Sequence, residues 1–228
     1  MTSKPTGPAA SGAPTPPIAL ETPADEISDH IAAERVELDT TTLLQLSDVC
    51  AEVLVDAETI VESSRDWWPL STIWSREGQV AVRAAAVARP SSATEVAAVL
   101  QICNAKRIPV TAAAGRSGVC GASVPAHGGV VLDLTGLSGI VGVDEESRVL
   151  DVQAGTFGTW LEDTLRSEYG MTTGHWPQSI DLSTVGGWVS TRAAGQYSTR
   201  YGSTEDMLLA LEVVLPDGHV VRTRVGPR

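Results

Sequence analysis

Apolar residues recur at helical spacing through "TTLLQLSDVCAEVLVDAETIV", residues 41–61. Leu43, Leu46, Val49, Cys50, Val53 and Leu54 fall on one face, with acids on the other. That predicts a helix, either packed on the edge of a main domain or free to bind a partner. From residue 80 the pattern shortens. "VAVRAAAVARP" reads as a strand ending at Pro90. "SSATEVAAVLQICNAKR" opens with a capping box, Ser92 to Glu95, and carries a stripe of Val96, Val99, Leu100 and Cys103. Lys106 and Arg107 close it at the negative end of the helix dipole. "IPVTAAA" follows as a strand, so residues 83–114 predict a β-α-β unit with a parallel crossover.

The later pattern is β-rich. "GGVVLDLTGL", "GIVGVDEESRVLDVQAG" and "LALEVVLPDGHVVRTR" read as strands, the last a hairpin turning at Pro216, Asp217 and Gly218. Asp144, Glu145 and Glu146 fit a solvated hairpin tip. "TWLEDTLRSEYG" predicts a short helix with its own capping box, Thr159 to Glu162. One β-α-β unit followed by mostly antiparallel strands and inserted helices is an α+β pattern, not a doubly wound sheet.

Composition changes this picture at one end. Pro, Ala, Ser and Thr dominate the first 35 of the 228 residues, which predicts a disordered tail. Residues 36–79 make a helical and Trp-rich segment; Trp67, Trp68 and Trp74 there anchor a packed crossing or line a pocket mouth. Residues 80–228 form the main domain. The net charge of −12 is uneven. Residues 1–66 hold 13 acids and 3 bases, and the remainder 15 acids and 13 bases. No basic footprint for nucleic acid exists in either part. No run approaches the roughly 18 apolar residues of a membrane span, and no secretory signal is legible. Three cysteines without a CxxC predict a reduced, cytoplasmic setting and no zinc site.

Two stretches carry the candidate chemistry. "TAAAGRSGVCGAS", residues 111–123, spaces Gly115, Gly118 and Gly121 by three. Such a loop presents backbone N–H groups with little side chain in the way, a nest for a phosphate or diphosphate. It is not a GxGxxG fingerprint, and a glycine turn with no ligand reads equally well. The second, "TGHWPQSIDLSTVGGWVSTRAAG", residues 173–195, offers Ser179, Ser183, Thr184, Thr191 and Arg192 as donors. Its Gly186 and Gly187 stand at a helix start, where the dipole favours an anion. Two such loops closing on one elongated phosphorylated cofactor would account for both.

The segment from Val82 to Arg224 resembles the FAD-binding domain of vanillyl-alcohol oxidase-type flavoproteins. It is most similar to the branch of alkylglycerone-phosphate synthases and of D-lactate and glycolate dehydrogenases. The second loop matches that family's T-G-H-x-P-x-S-x-x-x-S-T-x-G-G-W-x-x-T-R-x-x-G almost throughout. "YGSTEDM" and "VVLPDGHVV" extend the likeness. The first loop, "TAAAGRS" against P-I-G-G-G-T-S, is degenerate.

The resemblance implies a small β-α-β subdomain, then a larger mostly antiparallel sheet with flanking helices, and FAD held non-covalently between them. Thr111, Ala112, Ala113, Ala114, Gly115, Arg116 and Ser117 would wrap the diphosphate. Gln178, Ser179, Ile180, Asp181, Leu182, Ser183 and Thr184, with Thr191, Arg192, Ala193 and Ala194, would contact flavin and phosphates. It also implies a small-molecule substrate, a 2-hydroxy acid or an acylated glycerone phosphate. The family's E-G-T-L-G motif and substrate domain lie beyond the matched part, and a partner chain or further domain would supply them.

Individual residues leave alternatives open. His175 bonds a flavin edge or fixes its own loop. Arg192 neutralises the diphosphate or salt-bridges locally. Arg116 reaches a phosphate or points to solvent. Cys120 sits where a related branch carries a flavin-bonded histidine, but reads more simply as a small thiol. His127 and His219 read as turn residues. Asp181 has no visible partner, and no catalytic residue is assigned. A module that binds flavin without turnover, or a degenerate domain that binds none, remains open, the alanines of "TAAAG" favouring the latter.

Overall fold

The structure is a computed structural model that describes residues 11–31 and 34–223. In chain order the elements are β1 (Ser28–Asp29), α1 (Thr40–Val49), β2 (Glu52–Leu54), α2 (Ala57–Ser63), α3 (Pro69–Arg76), β3 (Gln79–Val80), β4 (Ala86–Arg89), α4 (Ala93–Lys106) and β5 (Val110–Ala113). They continue as β6 (Val130–Asp133), β7 (Ile140–Asp144), β8 (Val149–Val152), α5 (Gly158–Tyr169), α6 (Val185–Thr191), α7 (Ser198–Tyr201), α8 (Thr204–Met207), β9 (Glu212–Val214) and β10 (Val220–Arg222).

The β-α-β expectation is met, with one strand more than predicted. β4 and β5 are parallel, but β6 lies between them and pairs in parallel with both, giving the order β2-β4-β6-β5. β6 therefore belongs to the first sheet, not to a later antiparallel one. All four of its residues are buried, as a central strand covered on both faces requires. Its side chains alternate: Val130 and Leu132 face Leu46 of α1, Cys50 just after it, and Val96, Val99 and Cys103 of α4. Val131 faces Ile60 of α2, with Val87 and Ala113. The Ser92 hydroxyl accepts the Glu95 N–H at 3.3 Å and caps α4.

The single helix predicted over 41–61 is in fact helix, strand and helix. Val53 and Leu54 pair antiparallel with Ala88 and Val87, making β2 an edge strand. Asp39 caps α1 through the Thr42 N–H at 2.6 Å, and Asp56 caps α2 through the Thr59 N–H at 2.9 Å. The apolar run that mimics a helix face instead supplies both a helix and a strand to one core.

The second subdomain centres on Leu161 and Leu165 of α5, Ile180 and Trp188, packed beneath the β7–β8 hairpin. The α+β class expected holds, though the antiparallel part is not one larger sheet within the described residues. Among the described residues β7–β8 and β9–β10 are separate two-stranded ladders. The second docks on the first subdomain instead: Val214 packs into the α1–α4 core, and a Cβ at Gly218 would lie 2.3 Å from Gln101 Cγ of α4.

The disordered tail expected over 1–35 is also corrected where it is described. Residues 1–10, 32 and 33 lie outside the described residues. Residues 28 and 29 pair with 79 and 80, and Ile27 is buried with Val61 and Val80. Proline richness reads as disorder only while the long-range partners are unseen.

Candidate functional site

β5 delivers the first loop to the end of the sheet beside Asp133, its register partner at Ala113. The alanines that seemed to crowd this loop are partly strand residues. Thr111, Ala112 and Ala113 complete β5, and the Ala113 methyl is buried in the core against Val87 and Val131. The open part of the loop is shorter, Ala114 to Ser117 with Gly118. Among the described residues the N–H groups of Arg116, Ser117 and Gly118 donate to no protein acceptor. A Cβ at Gly118 would meet nothing within 4 Å. Arg116 adopts the left-handed region at φ 52°, uncommon for a side-chain-bearing residue and a pointer to a functional constraint. Among the described residues its guanidinium makes one long hydrogen bond, 3.4 Å to Ser63 Oγ, and no ion pair. Burial pushes its pKa down, against the pull of Asp133 and Glu62. Unpaired donors and a guanidinium without a carboxylate partner are the chemistry of an anion site.

The second loop comes directly against the first. A Cβ at Gly115 would lie 2.2 Å from the Leu182 carbonyl oxygen and 3.2 Å from Ser183 Cα. Only a residue without a side chain permits that approach. Residues 177–183 form their own tight turns: Ile180 N–H donates to Pro177, and Leu182 and Ser183 N–H both donate to Ser179. Ser183 Oγ donates to the Ser179 carbonyl at 2.7 Å and accepts the Trp188 indole N–H at 2.7 Å. Gln178 is exposed, Ser179 half-buried, Ile180 and Thr184 buried. Asp181 finds the partner the sequence did not reveal, accepting the Thr159 hydroxyl.

Three expectations change here. Two of the N–H groups at the start of α6 are already used: Val185 donates to Thr156 and Gly186 to Ala154. Gly186 is small because Ala154 Cβ would lie 2.8 Å from any Cβ there, so it serves packing, not an anion. Thr191 Oγ1 donates to the Gly187 carbonyl, and Arg192 pairs with Glu205 at 2.8 Å, both exposed. Of its two readings, the structure gives Arg192 the local ion pair; Ala193 and Ala194 follow it. The Thr159–Glu162 capping box does not form. α5 starts after Phe157 without a side-chain cap, and Glu162 turns inward to accept from Thr172 Oγ1, the Thr173 N–H and Oγ1, and Arg166 Nε.

His175 is buried, its ring 4.7 Å from that of Trp188. Neither ring nitrogen has a hydrogen-bond partner among the described residues, so it does not fix its loop by side-chain hydrogen bonds. Burial lowers its pKa, opposed by Glu162. A histidine kept neutral this way adds stability that is full above its unfolded pKa, about 6.5, and declines as pH falls toward the lower folded value. His175 should therefore titrate below 6.5 by NMR, and His175→Gln should flatten the pH dependence of unfolding below that point. Cys120 is exposed, and Cys50 and Cys103 are buried; all are free. Burial raises Cys103 to about 11. Trp68 and Trp74 pack edge to face at 5.3 Å, whereas Trp67 donates its backbone N–H to the Arg116 carbonyl at 3.3 Å. Nothing local marks Arg65 and Asp133, which lie close to Arg116, whereas the tryptophan run already pointed to Trp67 as an anchor or pocket-mouth residue.

A seam where two small-residue loops touch, with unspent N–H groups on one side, suits a buried diphosphate. The model of the family described as FAD binding domain matches residues 84–224. The chain belongs to that family, and its cofactor is FAD. It is 42% identical over 147 residues to the protein named "Uncharacterized FAD-linked oxidoreductase YgcU" of Escherichia coli (strain K12), covering 63% of this chain and 30% of that protein. It is 38% identical over 133 residues to "D-lactate dehydrogenase" of Anaerostipes hadrus, 58% of this chain and 27% of that one. The fold matches a solved alkyldihydroxyacetonephosphate synthase with a TM-score of 0.79 at 24% identity, over 93% of this chain and 38% of that one. The chain thus spans under a third of the length of these curated relatives. Among the described residues no helix is long and apolar enough to cross a membrane.

Proposed function

We propose that this chain is the cofactor-holding part of a flavoenzyme. FAD lies non-covalently at the seam of the two loops, its diphosphate against Ala114–Gly118 and its flavin toward residues 178–184. The observation that carries this reading is the contact of Gly115 with the Leu182 carbonyl, which places the open N–H groups of one loop beside the best-matched motif of the other. When bound, the flavin supplies the two-electron redox step. The chain's own groups bind, orient and exclude water. No nucleophile–base pair is assigned, so substrate chemistry falls to residues of a further domain or partner chain. The relatives support two substrate classes: a 2-hydroxy acid oxidised by hydride transfer, or an acylated glycerone phosphate in ether-lipid synthesis. The free cysteines support a cytoplasmic setting.

The test is direct. Purified protein should show flavin absorbance or take it up from added FAD. Stable colour without turnover is expected of this chain alone; bleaching by a 2-hydroxy acid once the further domain or partner chain is supplied would select the first class. A colourless protein that cannot be reconstituted overturns the reading.

A further inference from the structure

Residues 11–18 form a strap without helix or strand, and its two ends meet the supports of the two loops. At one end, Trp67 joins strap to first loop. Its Nε1–H donates to the Thr15 carbonyl at 2.7 Å, while its backbone N–H donates to the Arg116 carbonyl at 3.3 Å. Arg65, 2% exposed, donates to the Ile18 carbonyl at 2.8 Å. At the other end, Phe157 joins strap to second loop. The Phe157 N–H donates to Ser11 Oγ at 2.9 Å, and Ser11 Oγ lies 2.5 Å from Ser138 Oγ. Phe157 bridges Thr184, and the neighbouring Gly158 N–H donates to the Ser183 carbonyl at 3.1 Å. Between these anchors Pro14, Pro16 and Pro17 cover a gap of about 10 Å³ shared with Arg116 and Trp67.

We propose that this strap is a third wall of the cofactor cleft, holding the two loops together and gating the release of FAD. The inference rests on the FAD reading above. Its physical basis is the strap's hydrogen-bond inventory. Prolines have no N–H and a fixed φ, so the segment is preorganised and has few donors to satisfy. Three of its acceptors, the Thr15 and Ile18 carbonyls and Ser11 Oγ, are met by Trp67, Arg65 and Phe157. None of them takes a hydrogen bond from Arg116, Ser117 or Gly118, so the strap covers the loop without consuming its anion-binding donors. A buried arginine committed to a carbonyl at residue 18 makes the strap part of the fold and not a stand-in for ligand.

The experiment uses the full chain loaded with FAD, diluted into buffer, with recovery of free-FAD fluorescence giving the release rate. Trp67→Phe removes the Nε1–H anchor at one end while keeping the backbone hydrogen bond to Arg116, and Ser11→Ala removes the anchor at the other. Ser11→Ala, which loses a buried hydrogen bond, should speed release on the order of ten-fold, and Trp67→Phe, which loses an exposed one, by a smaller factor. Amide exchange over residues 11–18 should slow when FAD is bound. Release unchanged in both variants, or exchange there indifferent to FAD, overturns the strap. Variants that bind FAD faster and more tightly also overturn it, since the strap would then occupy the cofactor's place. Failure of the unmodified chain to take up FAD overturns the parent reading as well, and is seen before any variant is made.

Discussion

Gly115→Val is expected to abolish FAD uptake and to destabilise the fold by about 3 kcal/mol, the upper range for overpacking a rigid interior. The reason is geometric. The new Cβ would sit 2.2 Å from the Leu182 carbonyl oxygen, and backbone atoms on both sides leave no side chain to rotate away. The loops must part by more than an ångström, separating the first subdomain from the turn at Ser179–Ser183. Gly118→Ala is the control, because its Cβ would enter open space and should leave the unfolding midpoint unchanged. Urea unfolding and FAD titration on both variants check this; equal stability of the two would show that the loops are not in contact.

Glu162→Ala is expected to cost about 3 kcal/mol, comparable to breaking a buried charged network by removing one partner. Glu162 is fully buried. Burial alone would raise its pKa, but hydrogen bonds from Thr173 and Thr172 outweigh that and hold it below its ordinary value of 4.5. A carboxylate with a depressed folded pKa gives stability that is fully present above the unfolded value and is lost as pH falls through the folded one. The wild-type protein should therefore lose stability below about pH 4.5, and part of that loss should vanish in Glu162→Gln. The consequence reaches the site, because Thr172 and Thr173 lead directly into His175 and the second loop. FAD affinity should fall with stability in Glu162→Ala. An acid limb of the same depth in Glu162→Gln would show that other carboxylates govern it.

What was legible in the sequence was mostly local. The Ser92 cap, the stripe of α4, the hairpin at Asp144 and the turn at Pro216–Gly218 each depend on neighbours a few residues away, and each stands where the pattern placed it. The misread parts depend on distant partners. Val53 and Leu54 become strand because β4 offers an edge, which no helical period can report. Glu162 has the spacing of a capping box, yet Thr172 and Thr173 offer it better donors. Gly186 looked like bare backbone for a ligand, but Ala154 is what comes close. The strap looked like disorder because proline and serine are common to both; Arg65 and Trp67, about fifty residues on, decide otherwise. The site itself was half legible. The second loop carried a long match, while the first was degenerate, and its alanines lost their meaning only once Ala113 was seen inside β5.

The central claim is that the loops at Gly115 and Leu182 enclose one FAD diphosphate. Backbone amide shifts of isotope-labelled protein titrated with FAD test it most directly. The account predicts large shifts at Arg116, Ser117 and Gly118 and at residues 179–184 together, saturating at one equivalent and only weakly reproduced by riboflavin, which lacks phosphate. Shifts confined to one loop, or equal shifts with riboflavin, would contradict it.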